Sequence, residues 1–292
     1  LARACADEPP SVWTASMAYG EGTMALAEGR LDAAASSLAR ALALFRDLGD
    51  MRGTAWALND LGCVAANRRD YAAAAVLYEE SLDLKRVLGA SWDVARTLLN
   101  LGELAWRRGD LDRAAELYAE SLRSAGRAGG DADRDLLAAI GMNLGDIERL
   151  RGDLAAASEH YRQALRTWRE IGDRLNGSLA VAGLGGVAAA RGEFALAARL
   201  LAAASEARRR LGVTLDVDNQ AEHDRMVAAA RARADPAGWE AETAEGERMP
   251  LWEAARHALE DQPTDRGSAG AAPERTGAPG RQRPEGCDRA PV

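Results

Sequence analysis

Apolar positions return three and four residues apart through most of the chain, in stretches of about 16 or 17 residues divided by short polar breaks. That spacing is the helical period, and it predicts one amphipathic helix after another. Gly and Asp mark the breaks, as in Arg108-Gly109-Asp110 and Gly152-Asp153. No proline stands between Ser11 and Asp235, so the strongest helix breaker is missing from that whole length.

The pattern also repeats. Five segments align on Gly22, Gly62, Gly102, Gly145 and Gly185, spaced 40, 40, 43 and 40 residues apart. Twelve residues after each glycine comes Ala34, Ala74, Ala114, Ala157 and Ala197. Sixteen after comes Leu38, Tyr78, Tyr118, Tyr161 and Leu201. A closing glycine follows at Gly49, Gly89, Gly129, Gly172 and Gly212. Each unit reads as a helical hairpin. The anchoring Gly lets a neighbouring helix pass close, and the acids Asp70, Asp110, Asp153 and Glu193 suit the start of the second helix. The Ala permits a tight crossing, the Tyr or Leu fills the space beside it, and the closing Gly terminates the helix. One hairpin cannot bury its apolar stripe alone, so the pairs must stack.

Composition narrows the class further. Ala supplies 65 of 292 residues, and aromatics only 5%. Strand-forming residues are too few for an all-β fold. The net charge of −8 argues against direct nucleic-acid binding by this segment, which would rest on cationic groups. Arg provides 36 of the 37 basic residues, and Lys85 is the only lysine. Cys5, Cys63 and Cys287 form no disulfide framework, so a reducing cytoplasm is expected. No apolar run is long enough for a membrane span.

The Leu-Gly pairs, the Ala twelve later, the Tyr or Leu sixteen later and the Ala or Ser nineteen later (Ala41, Ser81, Ser121, Ala164, Ala204) resemble the tetratricopeptide repeat. The resemblance covers roughly residues 11 to 212. Two departures, a period near 40 and no closing Pro, resemble the long-helix variety in bacterial regulators of the maltose-regulator (MalT) and LuxR type. The segment from Arg199 to Gly212, with Trp239, Gly246, Met249 and the run Leu251 to Leu259 after it, is similar to the end of bacterial signalling ATPases. Trp252 departs from the polar or acidic residue usual there.

The resemblance implies an all-α solenoid of five helix pairs over 11–213, with capping helices over 214–260. Residues 1–10 read as the remnant of a preceding repeat. Residues 261–292, rich in Pro, Gly, Ala and Arg, read as a disordered tail. In function it implies a non-catalytic protein-interaction scaffold or sensor, joined to an upstream nucleotide-binding domain in a transcriptional regulator or signalling ATPase. Two alternatives stay open: part of a multidomain ATPase or nucleotide cyclase with its catalytic domain upstream, or a stand-alone repeat protein.

No chemistry of an enzyme emerges from the residues. Lys85 has no glycine loop before it, so no phosphate-binding loop forms. His160, His223 and His257 share no ligand spacing with one another or with a cysteine, and neither metal nor cofactor is expected. Cys63 reads as a small, partly buried residue.

The repeats that this chain resembles contact ligands from the first helix, at 6 and 3 residues before the anchoring Gly and 1 and 4 after it. Those offsets share one helical face. Here they give Trp56, Asn59, Cys63 and Ala66, then Arg96, Leu99, Glu103 and Trp106. The fourth unit gives Ala139, Met142, Asp146 and Arg149. Trp56, Asn59, Arg96, Glu103, Trp106, Asp146 and Arg149 are therefore the candidate concave-face residues for a protein or peptide partner. Aromatic and Arg side chains are favoured anchors. The competing reading makes Trp56 and Trp106 fillers of gaps between helices. A clamp built on two lysines cannot form with one.

Overall fold

A computed structural model describes residues 11–125, 131–215 and 217–260. Its elements there are all helices: α1 (Val12–Ala27), α2 (Leu31–Asp47), α3 (Met51–Asn67), α4 (Tyr71–Val87), α5 (Ser91–Arg107), α6 (Leu111–Ala125), α7 (Asp131–Arg151), α8 (Leu154–Ile171), α9 (Arg174–Arg191), α10 (Phe194–Leu211), α11 (Val217–Arg231), α12 (Pro236–Arg248) and α13 (Leu251–Glu260). The first ten form five antiparallel hairpins, each packed on the next. The odd-numbered helices also touch one another in sequence from α1 to α9, which makes them the inner layer of an all-α solenoid. The 43-residue spacing comes from α7, which runs to 21 residues.

The repeated residues are the core. Ala34, Ala74, Ala114, Ala157 and Ala197 are all 0% exposed, and Leu38, Tyr78, Tyr118, Tyr161 and Leu201 are buried beside them. Each anchoring glycine sits under the residue sixteen positions on. A methyl added at Gly102 would stand 2.6 Å from Tyr118 Cδ1, and one at Gly145 would stand 2.8 Å from Tyr161 Cε1. The position nineteen after the glycine is buried too. Where it is serine it ties the hairpin: Ser81 Oγ donates to the Ala55 carbonyl at 2.7 Å, and Ser121 Oγ to that of Ala95 at 2.6 Å.

Helix starts follow the acids, with one exception. Asp70, Asp110 and Asp153 accept from the backbone N–H groups of Ala73, Arg113 and Ala156 at 3.0, 3.1 and 3.0 Å. Glu193 makes no such bond, because its extra methylene does not fit the short reach that a cap requires. At the closing turns Gly49, Gly89, Gly172 and Gly212 have positive φ, whereas Gly129 lies outside the described residues. Arg69 adopts φ 62° where the other hairpins use glycine.

Beyond the hairpins, α12 packs on α10 through Gly246, where a methyl would stand 2.9 Å from Ala202 Cβ. Helix α13 buries Leu251, Ala254, Ala255 and Ala258 in the same core, and Trp252 lies over Gly177. Arg162 Nε donates to the Ala258 carbonyl at 3.2 Å. At the other end, Val12, Trp13, Met17 and Met24 of α1 are exposed. The expected repeat remnant at 1–10 and the expected tail at 261–292 lie outside the described residues. Among the described residues no helix is long and apolar enough to cross a membrane.

Candidate functional site

The seven candidate residues do lie on the inner helices, but they separate into two groups with different surroundings. The first belongs to α1, α3 and α5. Trp56 stacks on Tyr19 with ring centroids 6.3 Å apart, and its Nε1–H points to Asp93 Oδ2 at 3.4 Å. The Tyr19 hydroxyl donates to Asp60 at 2.8 Å. Arg96 lies 5.1 Å over the Trp92 ring and 3.9 Å from Asp93. Trp56 is thus half-buried and engaged with its neighbours.

Asn59 requires a correction. It is 2% exposed, so it is not part of an accessible face. Its Oδ1 accepts from Lys85 Nζ at 3.2 Å and from Thr97 Oγ1 at 3.1 Å. Lys85 Nζ also donates to Thr97 Oγ1 at 2.7 Å. The only lysine of the chain is therefore sealed, 1% exposed, between α3, α4 and α5. Burial, with Arg96 adding to it, lowers its pKa from 10.5 to about 8. The offset rule placed Asn59 on the groove because it counts positions along α3 alone. The side chains of α4 and α5 decide that it is covered. Cys63 accepts from the Tyr78 hydroxyl at 3.3 Å, and burial pushes its thiol up, which makes a reactive thiolate unfavourable.

The second group lines a cleft of about 270 Å³ formed by α5, α7, α9 and α11. Glu103, Trp106 and Asp146 open onto it, with Met142 and Asn143 of α7. Glu103 is ion-paired with Arg107 at 2.7 Å. Asp146 accepts from the Tyr161 hydroxyl at 2.7 Å and lies 4.0 Å from Arg149. Burial raises the pKa of Asp146, against the opposing effects of Arg149 and of that hydrogen bond.

Helix α11 contributes what the sequence did not reveal. It lies against the inner faces of α7 and α9, so it is more than an end cap. Glu222 takes Arg149 at 2.9 Å, and the Met226 sulfur lies where a methyl on Gly186 would come within 2.8 Å of it. His223 is buried, with Nε2 at 2.9 Å from Ser205 Oγ and 3.4 Å from Arg208 Nη2. Burial and the neighbouring Arg208 lower its pKa from 6.5 to about 4, so at neutral pH the ring is uncharged. Arg149 is thereby committed to Glu222 and is not a free anchor. The period gave no signal of this docking, since α11 is mostly polar and Glu222, His223 and Met226 hold it.

Helix pairs stacked at a fixed period around an inner groove define an α-solenoid of helical repeats. The chain belongs to the tetratricopeptide-repeat family, which it matches over residues 13–86, 67–127, 93–170 and 135–210. Comparison with curated proteins gives no match. Among solved structures it is similar to BtubC (BKLC) from P. vanneervenii, at 22% identity and TM-score 0.55, covering 66% of this chain and 79% of that one. It is also similar to the apo form of RapI, at 14% identity and TM-score 0.57, covering 80% of this chain and 88% of the other. A third likeness is to the Rap conjugation gene regulator of the plasmid pLS20, solved in complex with the Phr* peptide. There the identity is 16%, the TM-score 0.57, and the shares covered are 83% and 74%. At these identities the likeness establishes the fold.

Proposed function

We propose that this chain is a non-catalytic interaction scaffold whose inner groove takes a peptide segment of a partner in the cleft between α5, α7, α9 and α11. The observation that carries this reading is the lining of that cleft. Trp106, Met142 and Met226 offer apolar contact, and Glu103, Asp146 and Glu222 are already paired within the protein. Such a surface suits a peptide with an apolar segment. That the pLS20 regulator of the same fold holds a peptide supports it. The wider setting belongs to the same proposal: a cytoplasmic bacterial regulator of the LuxR type or a signalling ATPase, with its nucleotide-binding domain upstream.

The test pairs two measurements, melting temperature and capture of partners from a lysate of the source organism, on Trp106→Ala and Trp56→Ala. Trp106→Ala should keep its melting temperature within a few degrees and lose capture, since truncating an anchor Trp costs about 2 kcal/mol or more, roughly thirtyfold in affinity. Trp56→Ala should lose stability, because its ring stacks on Tyr19. If Trp106→Ala captures as wild type does, the cleft is not the binding site.

A further inference from the structure

Arg208, near the end of α10, is 5% exposed and lines the cleft. Its Nη2 has only weak neutral partners, Ser205 Oγ at 3.3 Å and His223 Nε2 at 3.4 Å. Its Nη1 is buried and has no hydrogen-bond partner among the described residues. The carboxylates of the cleft do not supply the missing charge: Glu103 serves Arg107, Glu222 serves Arg149 and Arg225, and Asp146 is held by Tyr161 and Arg149. Burial lowers the pKa of Arg208, and among the described residues no carboxylate opposes it. A buried guanidinium without a counter-charge is costly, and proteins retain one where something anionic completes it.

We infer that Arg208 is the anion-recognition point of the cleft and that the occupant carries a carboxylate next to an apolar group. The apolar part has Trp106, Met142, Leu179, Leu215 and Met226 to rest on. A guanidinium fork matches a carboxylate with two parallel bonds, and Nη1 is the unused arm. Arg208 stands on a second helix, outside the first-helix positions that the repeat pattern nominates. The inference rests on the peptide-groove reading and specifies its ligand. Two sources share this chemistry, the C-terminal end of a peptide and a small free carboxylic acid.

The experiment measures thermal shift of the full chain with three probes. One is a pool of acetylated random pentapeptides ending in Leu, Ile, Met or Phe with a free carboxylate. The second is the same pool amidated at that end, and the third is N-acetyl-leucine. The free-carboxylate pool should raise the melting temperature, and the amidated pool should need at least tenfold more peptide for the same shift. Arg208→Met should abolish the difference while melting no lower than wild type, since it removes an uncompensated charge. A shift with N-acetyl-leucine equal to that of the acid pool identifies the small acid as sufficient, and a shift confined to the pool identifies a peptide end. Equal shifts with acid and amide pools overturn the carboxylate inference and leave the peptide groove standing. No shift with any probe removes both. An Arg208→Met chain that melts well below wild type shows a compensated guanidinium, and the inference fails.

Discussion

Substituting the helix glycines by alanine should give effects of both signs, ordered by the space above each one. In a helix interior Gly→Ala alone stabilises by about 0.5–1 kcal/mol, because alanine loses less chain entropy on folding. Against that stands the neighbour that the new methyl meets. At Gly102 the methyl would be 2.6 Å from Tyr118 Cδ1, and at Gly62 it would be 2.6 Å from Tyr78 Cδ1. Both rings are buried in the crossing, so they must move by most of an ångström. Overpacking of that kind costs about 1–3 kcal/mol, and it outweighs the propensity gain. At Gly185 the nearest atom is Leu201 Cγ at 2.9 Å, on a side chain that can turn, so the cost should be smaller. At Gly141 the nearest atom is 4.0 Å away, and at Gly20 there is nothing within 4 Å. Only the entropy gain remains at those two. Gly102→Ala and Gly62→Ala should therefore lower stability by about 1–2 kcal/mol. Gly141→Ala and Gly20→Ala should raise it by about 0.5 kcal/mol or more. Urea denaturation followed by circular dichroism measures each, with Tyr118→Leu as a background in which the Gly102→Ala penalty shrinks. A neutral Gly102→Ala, or a Gly141→Ala that destabilises as much as Gly102→Ala, refutes the assignment of these glycines to close crossings.

Two further outcomes concern pH. Lys85 is depressed from 10.5 to about 8, so between those values the unfolded chain binds more protons and stability rises with pH. The rise is about 3 kcal/mol at 1.36 kcal/mol per pH unit, and denaturation of Lys85→Met across that range should lack it. His223 is depressed from 6.5 to about 4, so its contribution is present above 6.5 and lost as pH falls toward 4. His223→Gln should flatten that acid limb by up to about 3 kcal/mol, and an unchanged limb means α11 does not hold His223 in a dry site.

The architecture was legible because one pattern occurs five times. Gly, Ala, Tyr or Leu, and Ala or Ser at fixed offsets specify a crossing, and each of those positions is buried where the register requires. The last helices were legible in outline from Trp239, Gly246 and the apolar run at Leu251. The site was legible only in part. Offsets along one helix located Trp106 and Asp146 at the cleft, but they could not reveal which positions a neighbouring unit covers, as at Asn59. They also missed the docking of α11 on the cleft, because a helix held there by Glu222, His223 and Met226 has no apolar stripe for a period to detect. Arg208 stands in a run of three arginines whose other two members, Arg209 and Arg210, are exposed, so composition alone did not mark it as buried.

The burial of Lys85 has a consequence for labelling chemistry. The sequence has one ε-amine, and the fold encloses it between the second and third hairpins. Reagents that acylate lysine find no side-chain amine on the folded surface, where arginine supplies the positive charge. Any lysine acylation of this chain must wait until α3, α4 and α5 part, so its rate is a clock for the separation of those two neighbouring repeats. The molecule thus carries a single-site reporter of its own breathing, at the seam marked by Asn59 and Thr97.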